Sequence, residues 1–314
     1  MIRSAVKNDP MLVFIAPLLI LAGLVLKLIS GVAILDDEHW QVFAMTRSWP
    51  TGLNYTVSSL IALPMAFVFN QLVQTLGLLG RITNLTMLVF ALFYFAIPDA
   101  VNHWMAWSVF LLQLGILRLA EDLYDEPTRT SSLSFNMGVL IGVSTLFIDG
   151  CFLLLLLPLQ ALVLSGNASF RKVMIVGVGF AIPLYFYNAL AYLFEWDFRI
   201  PAQGFHFDAL VGSVDKLEFL GFAFLVFMAL VTIISVWSVA SSTTLRERRR
   251  WMLVIGHLII GGLLVLSQGF TEAVFVALVP ATIVLTRVLL TTKNRKLSNA
   301  ILLLFLAFVL LINS

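Results

Sequence analysis

The residues best suited to chemistry are an acidic trio, Asp36-Asp37-Glu38, followed at once by His39. Adjacent carboxylates of this kind could take a proton from a sugar or lipid hydroxyl, or hold a divalent cation over a phosphate. The same residues also make a good helix start, since an Asp oxygen caps orphan backbone N–H groups and a carboxylate suits the positive end of the helix dipole. Both readings stay open at this point: Asp36, Asp37 and Glu38 as catalytic groups, or as a cap with solvated neighbours. A second cluster reads Arg246-Glu247-Arg248-Arg249-Arg250-Trp251. Arg246, Arg248, Arg249 and Arg250 could dock a lipid phosphate or an anionic partner loop, or simply anchor the end of a membrane span. Smaller candidates are scattered. Glu272, in Gln-Gly-Phe-Thr-Glu, would be costly in lipid but ordinary in a water-facing turn. His206 and Asp208 could pair with the first acids, and His257 reads as a buried polar contact inside a span.

The elements that must position these residues are membrane helices. Of 314 residues, 61% are hydrophobic and 11% charged, against the roughly 25% charged residues of a soluble domain. Mean hydropathy is +1.01. A water-facing surface needs more polar residues than this, so one integral membrane domain over residues 1–314 fits best. No nucleic-acid-binding face is separable from the charges that flank the apolar runs. The one cysteine, Cys151, excludes an intramolecular disulfide. The four histidines have no zinc-site spacing, and no phosphate loop, nucleophile elbow or His-Glu-x-x-His is present. No cofactor is indicated, apart from the divalent cation the acidic trio could hold.

A bilayer core of about 30 Å needs roughly 20 apolar residues per helix, and unpaired backbone is intolerable in lipid. The apolar runs predict spans near residues 10–34, 55–79, 82–98, 103–120, 132–148, 150–165, 172–195, 218–240, 251–268, 271–287 and 297–313. The expected fold is therefore all-α, a polytopic transmembrane helix bundle of about 11 spans. The first run is expected to be an uncleaved span, being too long for a signal-peptide core.

Charge decides one ambiguous stretch. Residues 132–164 are read as a hairpin broken at Asp149-Gly150, because a single helix there would move three basic groups outside, against the positive-inside rule. In this layout about 15 of the 19 Lys and Arg lie in the cytoplasm and about 11 of the 17 Asp and Glu outside. The N-terminus is expected inside and the C-terminus outside. Trp40, Trp49, Trp104, Trp196 and Trp251 fall near span ends, as an interfacial belt requires. An interfacial helix is expected within residues 35–54, with Trp40, Phe43 and Arg47 on one side. Asn70, Gln71, Gln74 and Asn136 are expected to bond to neighbouring helices. The acidic segment from Arg118 to Ser132 is read as an inner loop.

From Gln113 to Pro183 the chain carries a pattern. Arg118 and Tyr124 precede Phe135-x-x-Gly138-x-x-x-Gly142, an apolar hairpin, Pro158, Arg171-Lys172 and Pro183. With Asp36-Asp37-Glu38 after the first span, this resembles the N-terminal module of the C-type glycosyltransferases, which use polyprenyl-phosphate-linked sugars. The whole chain is also similar to a family of polytopic inner-membrane proteins of Bacteroidota. The resemblance covers about residues 1–200, leaving 201–314 as additional transmembrane helices. It implies a location in the bacterial inner membrane, membrane lipids and a polyprenyl-phosphate carrier as partners, and an acid of the first outer loop at Asp36 or Asp37. The stretch Trp49-Pro50-Thr51-Gly52-Leu53-Asn54-Tyr55 lacks the charge usual there in that superfamily, and no large soluble domain is expected after the last span. These departures motivate the alternative: a non-catalytic scaffold subunit of an envelope-assembly or export complex.

Overall fold

The computed structural model describes residues 11–30, 51–80, 82–96, 106–125, 127–148, 150–194, 223, 226–235, 244–268, 270–292, 296 and 299–305. Among them there is no β-strand. The helices are α1 (Met11–Ser30), α2 (Thr51–Thr75), α3 (Leu85–Ala96), α4 (Ala106–Asp125) and α5 (Thr130–Ser144). They continue with α6 (Leu156–Leu164), α7 (Phe170–Leu193), α8 (Val226–Ser235), α9 (Leu245–Gln268), α10 (Phe270–Thr291) and α11 (299–305). Four segments are long and apolar enough to cross a membrane: Thr56–Thr75, Phe170–Leu193, Glu247–Ser267 and Val274–Thr291. The other apolar helices are shorter, Leu12–Val25, Leu85–Tyr94, Cys151–Leu164 and Val226–Ser235. These helices are compatible with an integral membrane protein.

Aromatic packing and two buried polar contacts bring α2, α3, α4 and α10 together. Trp107 lies edge-on to Phe275 and Phe110, and Phe69 packs against both Phe90 and Phe110. Offset and edge-to-face rings of this kind add about 0.5–1.5 kcal/mol beyond simple burial. The Trp107 indole donates to the Ser58 hydroxyl at 2.7 Å, and Ser59 bonds to the Tyr94 phenol. Buried polar tips thus find partners on the neighbouring helix, as a medium without water demands.

The stretch 130–164 is two helices and not one, as the hairpin reading expects. Helix α5 ends at Ser144, Gly150 takes φ +74°, and a 3₁₀ turn over Cys151–Leu155 leads into α6. The chain turns back, since Leu133 and Met137 of α5 share one packed cluster with Ala161 and Leu162 of α6. A left-handed residue at the reversal favours glycine, which has no Cβ to clash.

Helices α5 and α7 lie along one another at backbone contact. A Cβ on Gly138 would run into the Val176 carbonyl, one on Gly142 into the Phe180 carbonyl, and one on Gly179 into the Phe135 carbonyl. Small residues four apart let two membrane helices approach this closely. The Gly138-x-x-x-Gly142 pattern and Pro183, whose Cγ borders Gly142, are therefore parts of one helix–helix contact. Away from α5, helix α7 exposes Val173, Met174, Val178, Phe186 and Leu190. An apolar face of this extent suits lipid.

Two sequence expectations need correction here. The acidic segment from Arg118 is not a loop: α4 continues to Asp125, and only residues 126–129, including a 3₁₀ turn at Pro127–Arg129, separate it from α5. Trp251 does not lie in an interfacial belt but is 0% exposed. Trp40, Trp49, Trp104, Trp196 and the expected interfacial helix before residue 51 lie outside the described residues.

Candidate functional site

Three helices, α4, α9 and α10, place charge at one end of the bundle, where a fourth, α2, finishes. Helix α2 ends at Thr75, and the turn after it uses Gly77 and Gly80, both at positive φ; the N–H groups of Leu76, Gly77 and Leu78 close back on Leu72, Gln74 and Val73, so the carbonyls still to be matched are those of Leu76 and Leu78 in the turn itself. Two arginines from distant parts of the chain fill this need. Arg250 of α9 donates through Nη1 to the Leu76 carbonyl at 2.6 Å, and Arg287 of α10 donates through Nη1 to the Leu78 carbonyl at 3.0 Å. Cations are favoured at a helix C-terminus, where carbonyl dipoles converge.

Each arginine is also balanced by an acid. Arg250 Nε lies 2.9 Å from Oε2 of Glu121, whose side chain is 1% exposed. Arg250 Nη2 stands 3.8 Å from the half-exposed Asp125. Arg287, 5% exposed, meets Glu247 Oε1 at 3.0 Å, and its guanidinium stacks over the Trp251 ring 4.5 Å from the centroid. Only a guanidinium can serve a carboxylate, a carbonyl and an aromatic face at once. Beside the cluster, Tyr124 has its phenol pushed above its ordinary pKa by burial and by the Glu121 carboxylate, against an opposing pull from Arg249. It stays a neutral phenol.

The sequence-read cluster is thus divided by the fold. Arg250 is committed to Glu121 and Leu76, while Arg248 and Arg249 are exposed at the start of α9. Thr244 precedes that helix and its hydroxyl accepts from the Glu247 N–H at 3.3 Å, a helix cap. Residue 246 is helical, but the Arg246 side chain lies outside those described, as does that of Glu272 in the first turn of α10. Asp36, Asp37, Glu38, His39, His206 and Asp208 also lie outside the described residues. Among the described residues no three His, Cys, Asp or Glu side chains gather to hold a metal ion.

Of the expected polar contacts, Asn70 donates to Asn84 Oδ1 at 3.1 Å and Gln74 to the Thr83 carbonyl at 2.9 Å, both in the approach to α3. Gln71 and Asn136 are exposed instead. Glu121, Glu247 and Arg287 were not singled out from sequence. Arg287 carried a signal, a cation just before the end of an apolar run, which marks a paired or functional group in a span.

No protein-family model, no curated protein and no solved structure matches this chain.

Proposed function

We propose that this is a multi-pass protein of the bacterial inner membrane that handles a polyprenyl-linked sugar or lipid at the outer leaflet, in the manner of a C-type glycosyltransferase. The observation that carries the reading is the α5–α7 pair. The segment whose pattern resembles that superfamily folds as one close-packed unit, with Gly138, Gly142, Gly179 and Pro183 at its contact. In this reading the N-terminus is cytoplasmic and the arginine-bearing end of the bundle faces the cytoplasm. Asp36 or Asp37, after α1, acts as base or cation ligand on the far side, with Glu38 beside them.

The test is sugar transfer from a polyprenyl-phosphate sugar by the full-length protein in liposomes, with Asp36→Asn and Asp37→Asn variants. Loss of a general base costs roughly 10²–10⁴-fold, so transfer should fall by at least about 100-fold in one of them. No transfer by the intact protein, or unchanged transfer in both variants, refutes the catalytic role. The scaffold reading has one observation in its favour: two of the arginines at the basic end, Arg250 and Arg287, are balanced from within, by Glu121 and Glu247. It expects a stoichiometric partner on mild-detergent purification, and a protein that is reproducibly solitary refutes it.

A further inference from the structure

Helix α7 is the least covered of the four segments able to cross a membrane: 11% of its apolar stretch is buried, against 44%, 56% and 89% in the others. Among the described residues its main neighbour is α5, which takes the side bearing Val176, Gly179, Phe180 and Pro183. Residues three and four apart share a helix face, so Arg171, Met174, Val178 and Tyr185 form one line on the opposite side, and all four are exposed. Gly177 and Ala181 run beside that line and are exposed as well. A Cβ on Gly177 would meet nothing within 4 Å, so a shallow groove follows the line. Phe170, 80% exposed, stands at its foot.

This apolar line ends on positive charge. Ser169 caps α7, its hydroxyl accepting from the Lys172 N–H at 3.4 Å, so Arg171 and Lys172 lie in the first turn. The turn belongs to the arginine-bearing end, since Val176 shares a packed cluster with Leu123 of α4 and Leu253 of α9. Lys172 Nζ reaches the Asn167 amide oxygen at 3.5 Å. No described carboxylate stands in ion-pair range of Arg171 or Lys172. Those of this end face other cations: Glu121 and Asp125 face Arg250, Asp122 faces Arg118, and Glu247 faces Arg287. Two cations without a carboxylate, continuous with an uncovered apolar surface, match an amphiphile with an anionic head.

We propose that the start of α7 binds an anionic phospholipid, with the headgroup phosphate on Arg171 and Lys172 and an acyl chain along Met174 and Val178 over the Gly177–Ala181 groove. A guanidinium can grip a phosphate through two parallel N–H bonds, and an ammonium beside it adds a point charge. Both side chains have apolar stems that lie along the helix while the charged tips reach the headgroup layer. A free phosphate would leave the apolar line uncovered. A second copy packed face to face and parallel on this line would bring two Arg171 side chains together, which like charges oppose. An anionic lipid satisfies both parts of the surface. The site is independent of the proposed transfer reaction and of Asp36 and Asp37.

The experiment is fluorescence quenching by brominated lipid, using the full-length protein with Phe170→Trp in phosphatidylcholine bilayers. Brominated phosphatidylglycerol or brominated phosphatidylcholine is titrated in, and the introduced indole is read as the difference from the parent protein. A Lys or Arg near the surface favours anionic lipid about fivefold. The phosphatidylglycerol should therefore quench at a concentration at least about fivefold lower than the phosphatidylcholine. That preference should fall to within about twofold when Arg171→Gln and Lys172→Gln are added. Equal quenching by the two lipids before those substitutions overturns the proposal, as does a preference that survives them. So does an equal loss on Arg249→Gln alone, which would assign the preference to the whole basic end. Quenching by neither lipid means that protein covers this face, and it overturns the proposal too.

Discussion

Arg250→Ala should be the most damaging single truncation at the arginine-bearing end, and its cost can be worked from the contacts. It takes away the guanidinium that lies 2.9 Å from the Glu121 carboxylate, 1% exposed, and removes the donor to the Leu76 carbonyl. Deleting one partner of a buried ion pair costs about 3–5 kcal/mol. The Asp125 arm adds little, since 3.8 Å to a half-exposed acid is a weak contact. About 4 kcal/mol is therefore expected for Arg250→Ala. The paired replacement Arg250→Met with Glu121→Leu removes both charges, and apolar groups in place of a buried pair are often neutral. The double variant should fall within about 1–2 kcal/mol of the parent, the residue being the orphaned Leu76 carbonyl. Arg118→Ala, which breaks an exposed i,i+4 pair with Asp122, serves as control at about 0.5 kcal/mol or less. The assay is reversible unfolding in mixed micelles titrated with a denaturing detergent, followed by tryptophan fluorescence. A cost below about 1 kcal/mol for Arg250→Ala, or a double variant as unstable as the sum of its singles, would refute the claim that this pair is buried and coupled.

Two further outcomes follow from neighbouring contacts. Arg287→Lys should cost about 1–3 kcal/mol, because an ammonium cannot bridge Glu247 and the Leu78 carbonyl while lying flat on Trp251; the same titration reads it, with a shift of tryptophan emission as the local reporter. Gly142→Ala should destabilise by about 1–3 kcal/mol, since its Cβ meets the Phe180 backbone, whereas Gly177→Ala, with open space around it, should change stability by no more than about 1 kcal/mol in either direction.

The helices were legible because hydropathy is local: each apolar run reports its own solvent, and the Asp149-Gly150 pair marked a break that the charge pattern favoured over one long helix. Asn70 and Gln74 were readable for the same reason, as polar groups inside an apolar run that must find a partner nearby. The charged cluster was not legible. Arg250 and Glu121 stand 129 residues apart, and hydropathy reads each as the edge of a span, where charge is expected. Trp251 misled through the same logic, because a tryptophan at a span end looks interfacial until Arg287 is known to cover it. The acidic trio, the strongest chemical signal in the sequence, lies outside the described residues.

The glycine contact between α5 and α7 also bears on how the protein can move. Two helices whose backbones touch have no side-chain layer that could slide or repack, so they must translate and tilt as a single strut. Flexing in this half of the chain is then confined to the joints on either side of α6, where Gly150 and Gly166 sit at φ +74° and +71°. A change of shape here would swing α6 against a fixed pair.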